Sequence, residues 1–302
     1  MSHDHGSAAS SRTRLGVALG ITALILVAEI VGAALTNSLA LLVDAGHMLT
    51  DVGGLTAALV AASLITRPAT SRRTWGFQRA EVLAALGQAT VLLAVGIYAF
   101  VTGIQRLFAP PDVPSGSLLV FGIIGLVGNI ASIAVLTSGR SANLNMRAAF
   151  LEVVNDALGS VAVIIGAIVI LTTGWVRADA LAGMVISVLI VPRTVALLRE
   201  TTGVLLESTP RGLDLDDVRA HMLLLPHVQG IHDLHASQIA TGLPILSAHV
   251  VVEQGCFEDG HAPRILDDLQ ACVLEHFSVP IEHSTFQLEP ATHAAHEHVE
   301  HS

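Results

Sequence analysis

Lysine is missing from this chain: all 15 of its basic residues are arginine. That bias carries no functional information, but the shortage of charge does. Charged residues fill 13% of 302 positions, whereas a soluble domain carries about 25%. A chain exposed to water along its whole length is therefore excluded. A basic face is missing too. The net charge is -10 with the 15 histidines counted as neutral, so nothing neutralises a phosphate backbone and nucleic acid is excluded as a partner. Cysteine occurs only at Cys256 and Cys272, too rarely for a disulfide framework. Both follow the last apolar run, on the side read below as cytosolic, and are expected as reduced thiols. No cleavable leader is evident. The polar stretch Met1–Arg14 runs into an apolar segment of spanning length, which reads as a retained signal anchor.

Apolar sequence is what the chain has in abundance, at 52% hydrophobic residues and a mean hydropathy of +0.66, so an integral membrane protein is expected. Six spans are predicted, at about Leu15–Leu35, Leu39–Ile65, Ala80–Phe108, Ser117–Ser138, Met146–Leu171 and Ala180–Leu198. Arg12, Arg14, Arg67, Arg72, Arg73, Arg79, Arg140, Arg147, Arg193 and Arg199 fall on one side of these spans, and Arg106 and Arg177 on the other. Cationic loops stay inside, so both termini are expected in the cytoplasm. Glu81, near the start of the third span, reads as a salt-bridge partner of Arg79.

From about Glu207 the composition becomes that of a small soluble domain. Asp214–Leu225 and Ala262–Phe277 carry helical apolar spacing. Val228–Ala240 and Leu243–Gln254 alternate and meet at Thr241-Gly242, as in a hairpin, and Val279–Glu289 supplies a third strand. The order αββαβ predicts an α+β, ferredoxin-like domain with its helices on one face of the sheet. The expected fold is thus a membrane all-α six-helix bundle plus this cytosolic domain. Its parts are a disordered His-containing tail at 1–14, the transmembrane domain at 15–200, the cytosolic domain at 207–290 and a disordered His-rich tail at 291–302.

Two pairs of ionisable residues interrupt the apolar spans. His47 and Asp51 are four apart in the second span, as are Glu152 and Asp156 in the fifth, so each pair shares a helix face. At about 1.5 Å per residue, Asp51 lies roughly 18 Å from the outer end of its span and Asp156 roughly 15 Å from the inner end of its own. Both pairs are therefore near the midplane, where each ionisable group costs several kcal/mol in order of magnitude. One imidazole and three carboxylates suit a divalent transition metal. Three carboxylates packed together cannot all stay ionised without a cation, so metal and protons compete for the site, which is the basis of antiport. Asp44, one turn before His47, lies behind these ligands, where it would guide ions or orient the imidazole. Glu29 and Asn129 read as polar packing residues. The rival readings are a membrane metalloenzyme, for which no His-Glu-x-x-His signature is found, and a membrane metal sensor. The chain is accordingly expected not to be an enzyme.

The stretch Ser38-Leu39-Ala40-Leu41-Leu42-Val43-Asp44-Ala45-Gly46-His47-Met48-Leu49-Thr50-Asp51 resembles the cation diffusion facilitator family, close to its bacterial zinc, cadmium and cobalt exporters. The segments Arg79–Ala85, Asn143–Ala149, Asp156–Val161, Gly230–His235, Ser247–Val250 and His283–Glu289 resemble it as well. The resemblance covers nearly the whole chain apart from the tails. It implies six transmembrane helices, a metallochaperone-like cytosolic domain, a homodimer in the bacterial plasma (inner) membrane and proton-coupled efflux of metal, zinc first, from the cytoplasm. Matched by motif, the transport site is His47, Asp51, Glu152 and Asp156. The chain departs from the pattern at Glu152, where such zinc exporters carry histidine. Carboxylates favour harder ions, so an exporter of manganese, iron or cobalt is the alternative. The segment Thr66–Arg79 lacks the Asp and His ligands that some members use for another site, and none is expected there. In the cytosolic domain His232, His249 and His283 match positions that hold regulatory metal in relatives, and His235 and His261 are further candidates. The terminal histidines are expected to scavenge metal weakly.

Overall fold

The computed structural model describes residues 5–137 and 144–294. The loop at 138–143, within the expected Gly139–Asn145 connector, and most of the His-rich tail lie outside the described residues. Six long helices come first: α1 His5–Thr36, α2 Leu39–Ile65, α3 Ala80–Phe108, α4 Ser115–Thr137, α5 Leu144–Thr173 and α6 Arg177–Leu205. The first begins at His5, and its apolar part from Gly16 matches the first expected span. Among the described residues, α1 from Gly16, α3, α4, α5 from Phe150 and α6 are long and apolar enough to cross a membrane. The 27-residue α2 is the remaining long helix. Its Leu39, Ala40, Leu41 and Val43 share a buried cluster with Ala99 of α3, Leu118 of α4, Val163 and Ala167 of α5, and Ala182 and Ile186 of α6. Large apolar side chains such as Leu24, Phe108 and Leu189 face outward, 74%, 84% and 67% exposed. Only a lipid surround makes such a surface favourable.

The start of α2 is held from another helix. Asn37 turns the chain with a left-handed φ of 53°, a conformation asparagine tolerates. The first backbone N–H groups of α2 then lack partners within their own helix. Asp179, buried in the first turn of α6, supplies them: Leu39 N donates to its Oδ2 at 2.7 Å and Ala40 N to its Oδ1 at 3.4 Å, while the Ser38 hydroxyl donates to Oδ1. Arg106 of α3 lies 3.8 Å from the same carboxylate and donates to Asn37 O at 2.6 Å. Arg106, expected at the outer boundary, thus pins the α1–α2 turn. On α4, the small residues Gly122, Gly125 and Ser132 form the buried stripe that packs on α1 and α5.

The soluble part contains α7 Leu215–Leu223, β1 Val228–Ala240, β2 Leu243–Val252, α8 Ala262–Glu275, β3 His283–Pro290 and α9 Ala291–Ala294. Asp214 caps α7 by accepting from Asp216 N at 2.9 Å. The sheet order is β1-β2-β3, with β1 and β2 antiparallel and β2 and β3 parallel. This is the expected αββαβ order, with a short 3-10 turn at Gln254–Phe257 added before α8. Val218 and Met222 of α7 and Ile265, Leu269, Cys272 and Val273 of α8 pack against Leu234, Leu246, Ala248 and Val250 of the sheet. Both cysteines are free and buried, and burial pushes the Cys272 thiol up.

Two compact units result: Met1–Leu59 with Gly87–Leu198, and Val60–Leu86 with Arg199–Ser302. Within the second unit the segment after α2 is ordered by its own contacts. Thr70 and Arg73 exchange backbone hydrogen bonds at 3.1 and 2.9 Å, and Arg73 lies over the Phe77 ring at 4.4 Å. Arg79 pairs with Glu207 at 2.9 Å, not with Glu81 as expected, because residues two apart on a helix do not face each other.

Removing the cross-helix cap should be costly. Asp179→Ala is expected to destabilise the detergent-solubilised protein by about 1–2 kcal/mol, read as a lower thermal midpoint in circular dichroism. An unchanged midpoint would mean that α2 is held by packing alone.

Candidate functional site

α2 and α5 turn their ionisable residues toward one another. His47 Nε2 is the hub, 3.4 Å from Asp51 Oδ2, 3.8 Å from Glu152 Oε1 and 3.8 Å from Asp156 Oδ1. Ligands around a tetrahedral zinc ion sit roughly 3.3 Å apart, given metal–ligand bonds of about 2.0–2.1 Å. The observed separations are close to that figure and too long for hydrogen bonds. The ligand atoms of His47, Asp51 and Asp156 all fall within 4.8 Å of one another. His47 and Asp156 are buried and Asp51 is half-buried. His47 Nδ1, Asp51 Oδ2 and Asp156 Oδ1 have no hydrogen-bond partner among the described residues. Buried polar atoms without partners are costly, and a cation placed among the two carboxylate oxygens would offset that cost.

Glu152 is set apart from the other three. Arg193 of α6, next to Pro192 within the helix, grips it with two prongs, Nη2 to Oε2 at 2.7 Å and Nη1 to Oε1 at 3.3 Å. In the sequence Arg193 is marked only as one of the ten arginines on the side expected to be cytoplasmic. Its partner could have been suspected from the charge balance, because three carboxylates exceed what a divalent ion neutralises. Gln88 of α3 was also missed; it hydrogen-bonds Asp51.

Asp44 is buried one turn before His47 and faces α1 and α5. Its carboxyl lies within hydrogen-bonding reach of Glu29 on α1. Gly159 of α5 makes room for it, since a Cβ there would sit 2.6 Å from Asp44 Oδ1. Gly125 of α4 does the same for Glu29, whose Oε1 would lie 3.0 Å from an added Cβ. Asn129 donates to the Ser160 hydroxyl at 3.2 Å, a polar packing contact between α4 and α5.

The soluble domain gathers part of the predicted histidine set. His232 and His249 are cross-strand partners on β1 and β2, with ring centroids 5.1 Å apart. Glu289 on β3, which the sequence reading passed over, completes the group: His232 Nε2 is 2.7 Å from its Oε1 and His249 Nδ1 is 3.7 Å from its Oε2. Burial alone would raise the Glu289 carboxyl, but hydrogen bonds from His232 and Gln287 outweigh it and hold the group below its ordinary range. The three ligand atoms lie within 4.8 Å of one another. The remaining candidates go elsewhere. His283, at the start of β3, stands edge-on to Trp75 at 4.7 Å. His235 lies 3.7 Å from Asp233, and His261 sits beside His227 with ring centroids 5.3 Å apart.

Comparison with known proteins agrees with this architecture. Residues 15–206 match the profile of the Cation efflux transmembrane domain, and residues 210–291 that of the Cation efflux protein, cytoplasmic domain. The chain is 39% identical to the metal cation efflux system protein CzcD of Cupriavidus metallidurans, over 96% of this chain and 90% of that one. It is 36% identical to a cadmium, cobalt and zinc/H(+)-K(+) antiporter of Bacillus subtilis, over 97% and 93% of the two chains. It is likewise 36% identical to the zinc transporter ZitB of Escherichia coli, over 96% and 93%.

The Glu152–Arg193 contact can be measured by a double-mutant cycle. Glu152→Ala and Arg193→Ala, alone and together, are expected to give a coupling of about 0.5–1 kcal/mol in unfolding stability, because the pair is partly exposed. Additive effects would mean that the two side chains do not interact.

Proposed function

The chain belongs to the cation efflux family of membrane transporters, and on that premise we propose that it exports divalent transition metal, zinc first, from the cytoplasm in exchange for protons. The observation that carries the reading is the convergence of His47, Asp51, Glu152 and Asp156 from two separate helices. Ligands on separate helices let a small shift of one helix open the site to either side. The named relatives that carry zinc, cadmium and cobalt support the choice of cargo. No chemical step is assigned to the protein. Arginine placement supports an inner-membrane orientation with both termini in the cytoplasm.

Arg193 bears on the choice of metal. Three carboxylates alone would favour a harder ion such as manganese. With Glu152 held by a guanidinium, three carboxylates and one arginine leave two net negative charges, the complement of a divalent cation. The group free to ligate is then His47, Asp51 and Asp156, whose imidazole favours zinc over manganese. Asp51 and Asp156 are the carboxylates that trade protons for the ion. In the cytosolic domain, His232, His249 and Glu289 would hold a regulatory zinc ion that draws the domains of a homodimer together and so favours transport, a linkage between two sites.

Purified protein in proteoliposomes, with a fluorescent zinc indicator inside, tests this reading. Zinc uptake should respond to an imposed pH gradient and be lost in Asp51→Ala and Asp156→Ala. Transport indifferent to the gradient, or surviving both substitutions, would refute it. The charge balance is tested separately. Glu152→His alone leaves Arg193 unpaired beside the ion and should slow zinc transport by about tenfold or more, the equivalent of at least ~1.4 kcal/mol. Glu152→His combined with Arg193→Ala restores two negative charges and should recover most of it.

A further inference from the structure

Beyond the His232–His249 pair, the β1–β2 ladder ends at Val228 and Val252, and the residues just past it converge. His227 precedes β1, Glu253 follows β2, Cys256 lies in the 3-10 turn, and Asp259 and His261 lead into α8. The backbone ties the first two together, Glu253 N donating to His227 O at 3.1 Å. Their side chains meet as well, with His227 Nδ1 3.0 Å from Glu253 Oε2. His227 reaches this position with a left-handed φ of 70°, a strained conformation for a non-glycine residue. Cys256 closes the group from beneath: one ligand atom each from His227, Glu253 and Cys256 lies within 4.8 Å of the others.

We propose that His227, Glu253 and Cys256 form a second cytosolic metal site, separate from His232, His249 and Glu289, for a divalent cation of the zinc, cadmium and cobalt class. An imidazole nitrogen, a carboxylate oxygen and a sulfur together select borderline-soft ions over calcium or magnesium, which prefer oxygen alone. The layout gives the ion a way in. The His227 and Glu253 side chains are 38% and 52% exposed, whereas Cys256 is 2% exposed and forms the floor. Asp259 and His261 stand beside the site, their Oδ1 and Nδ1 2.8 Å apart, with the His261 ring centroid 5.3 Å from that of His227.

A bland reading makes this a surface His–Glu pair above a core cysteine. The geometry favours a cation instead. A left-handed backbone at His227 and the backbone hydrogen bond from Glu253 hold three different donor atoms, nitrogen, oxygen and sulfur, within 4.8 Å of one another, with the sulfur closed off from solvent on its far side. A core cysteine needs no such neighbours, whereas a borderline-soft ion needs all three.

The test uses the full-length protein, metal-stripped in detergent and titrated with cobalt(II) chloride. Thiolate ligation gives a near-ultraviolet sulfur-to-cobalt charge-transfer band. The band is expected in the wild type, in Cys272→Ala and in His232→Ala/His249→Ala. It is expected to vanish in Cys256→Ser and to need at least tenfold more cobalt in His227→Ala and in His227→Asn, the second of which suits the left-handed backbone there. No band in the wild type, or a band retained in Cys256→Ser, would overturn the proposal. The readout is absorbance and not transport, so the result is independent of the membrane site.

Discussion

A charged group inside a helical membrane bundle must find its counter-charge in protein or in a bound ion, because lipid supplies none. Most of the distinctive features of this chain follow from that constraint. Glu152 is answered by Arg193, and Asp179 by the open end of α2 and by Arg106. Asp44 and Glu29, two acids with no counter-charge between them, lie within hydrogen-bonding reach in a space kept clear by Gly159 and Gly125, where one proton shared between them removes the charge. Asp51 and Asp156, arranged about His47, each keep a buried oxygen without a hydrogen-bond partner among the described residues, as do Glu29 and Asp44 behind them. What sets the first two apart is the imidazole between them, which with their oxygens makes a group of candidate ligands.

The two groups of candidate metal ligands in the C-terminal domain follow a different rule. Water is near, so a histidine needs no partner to be tolerated there, and its presence says little. Position on the sheet carries the information. His232 and His249 face each other because β1 and β2 pair at those residues, and the parallel pairing of β3 brings Glu289 beside them. His283 lies on the same strand as Glu289 but too far along it to join, and it lies against an aromatic ring instead.

Periodicity made much of this legible in the sequence. The i, i+4 spacing of His47–Asp51 and Glu152–Asp156 placed the candidate ligands on shared faces, and run length gave the helices. Alternation gave β1 to the residue and β2 to within its last turn. What stayed hidden were contacts between residues remote in sequence with no periodic signature. Arg193 looked like one more inward-side cation, and its pairing depends on how α6 is rotated against α5. Glu289 closed a strand pattern in which a carboxylate reads as an exposed end. His227, Glu253 and Cys256 are assembled by a ladder terminus, which no local pattern announces. The first span, expected at about Leu15–Leu35, is found at Gly16–Thr36, with helix continuing before it.

α6 supplies none of the candidate ion ligands, yet it touches both helices that do. Asp179 in its first turn grips the beginning of α2, and Arg193 further along grips Glu152 on α5. The two attachments differ in kind. The first is a buried cap on backbone N–H groups, hard to exchange; the second is a partly exposed ion pair between side chains, which can let go and re-form. α6 is in that sense a chassis with one welded joint and one sliding joint. Any movement of α5 against α6 would be registered first at the Glu152–Arg193 contact.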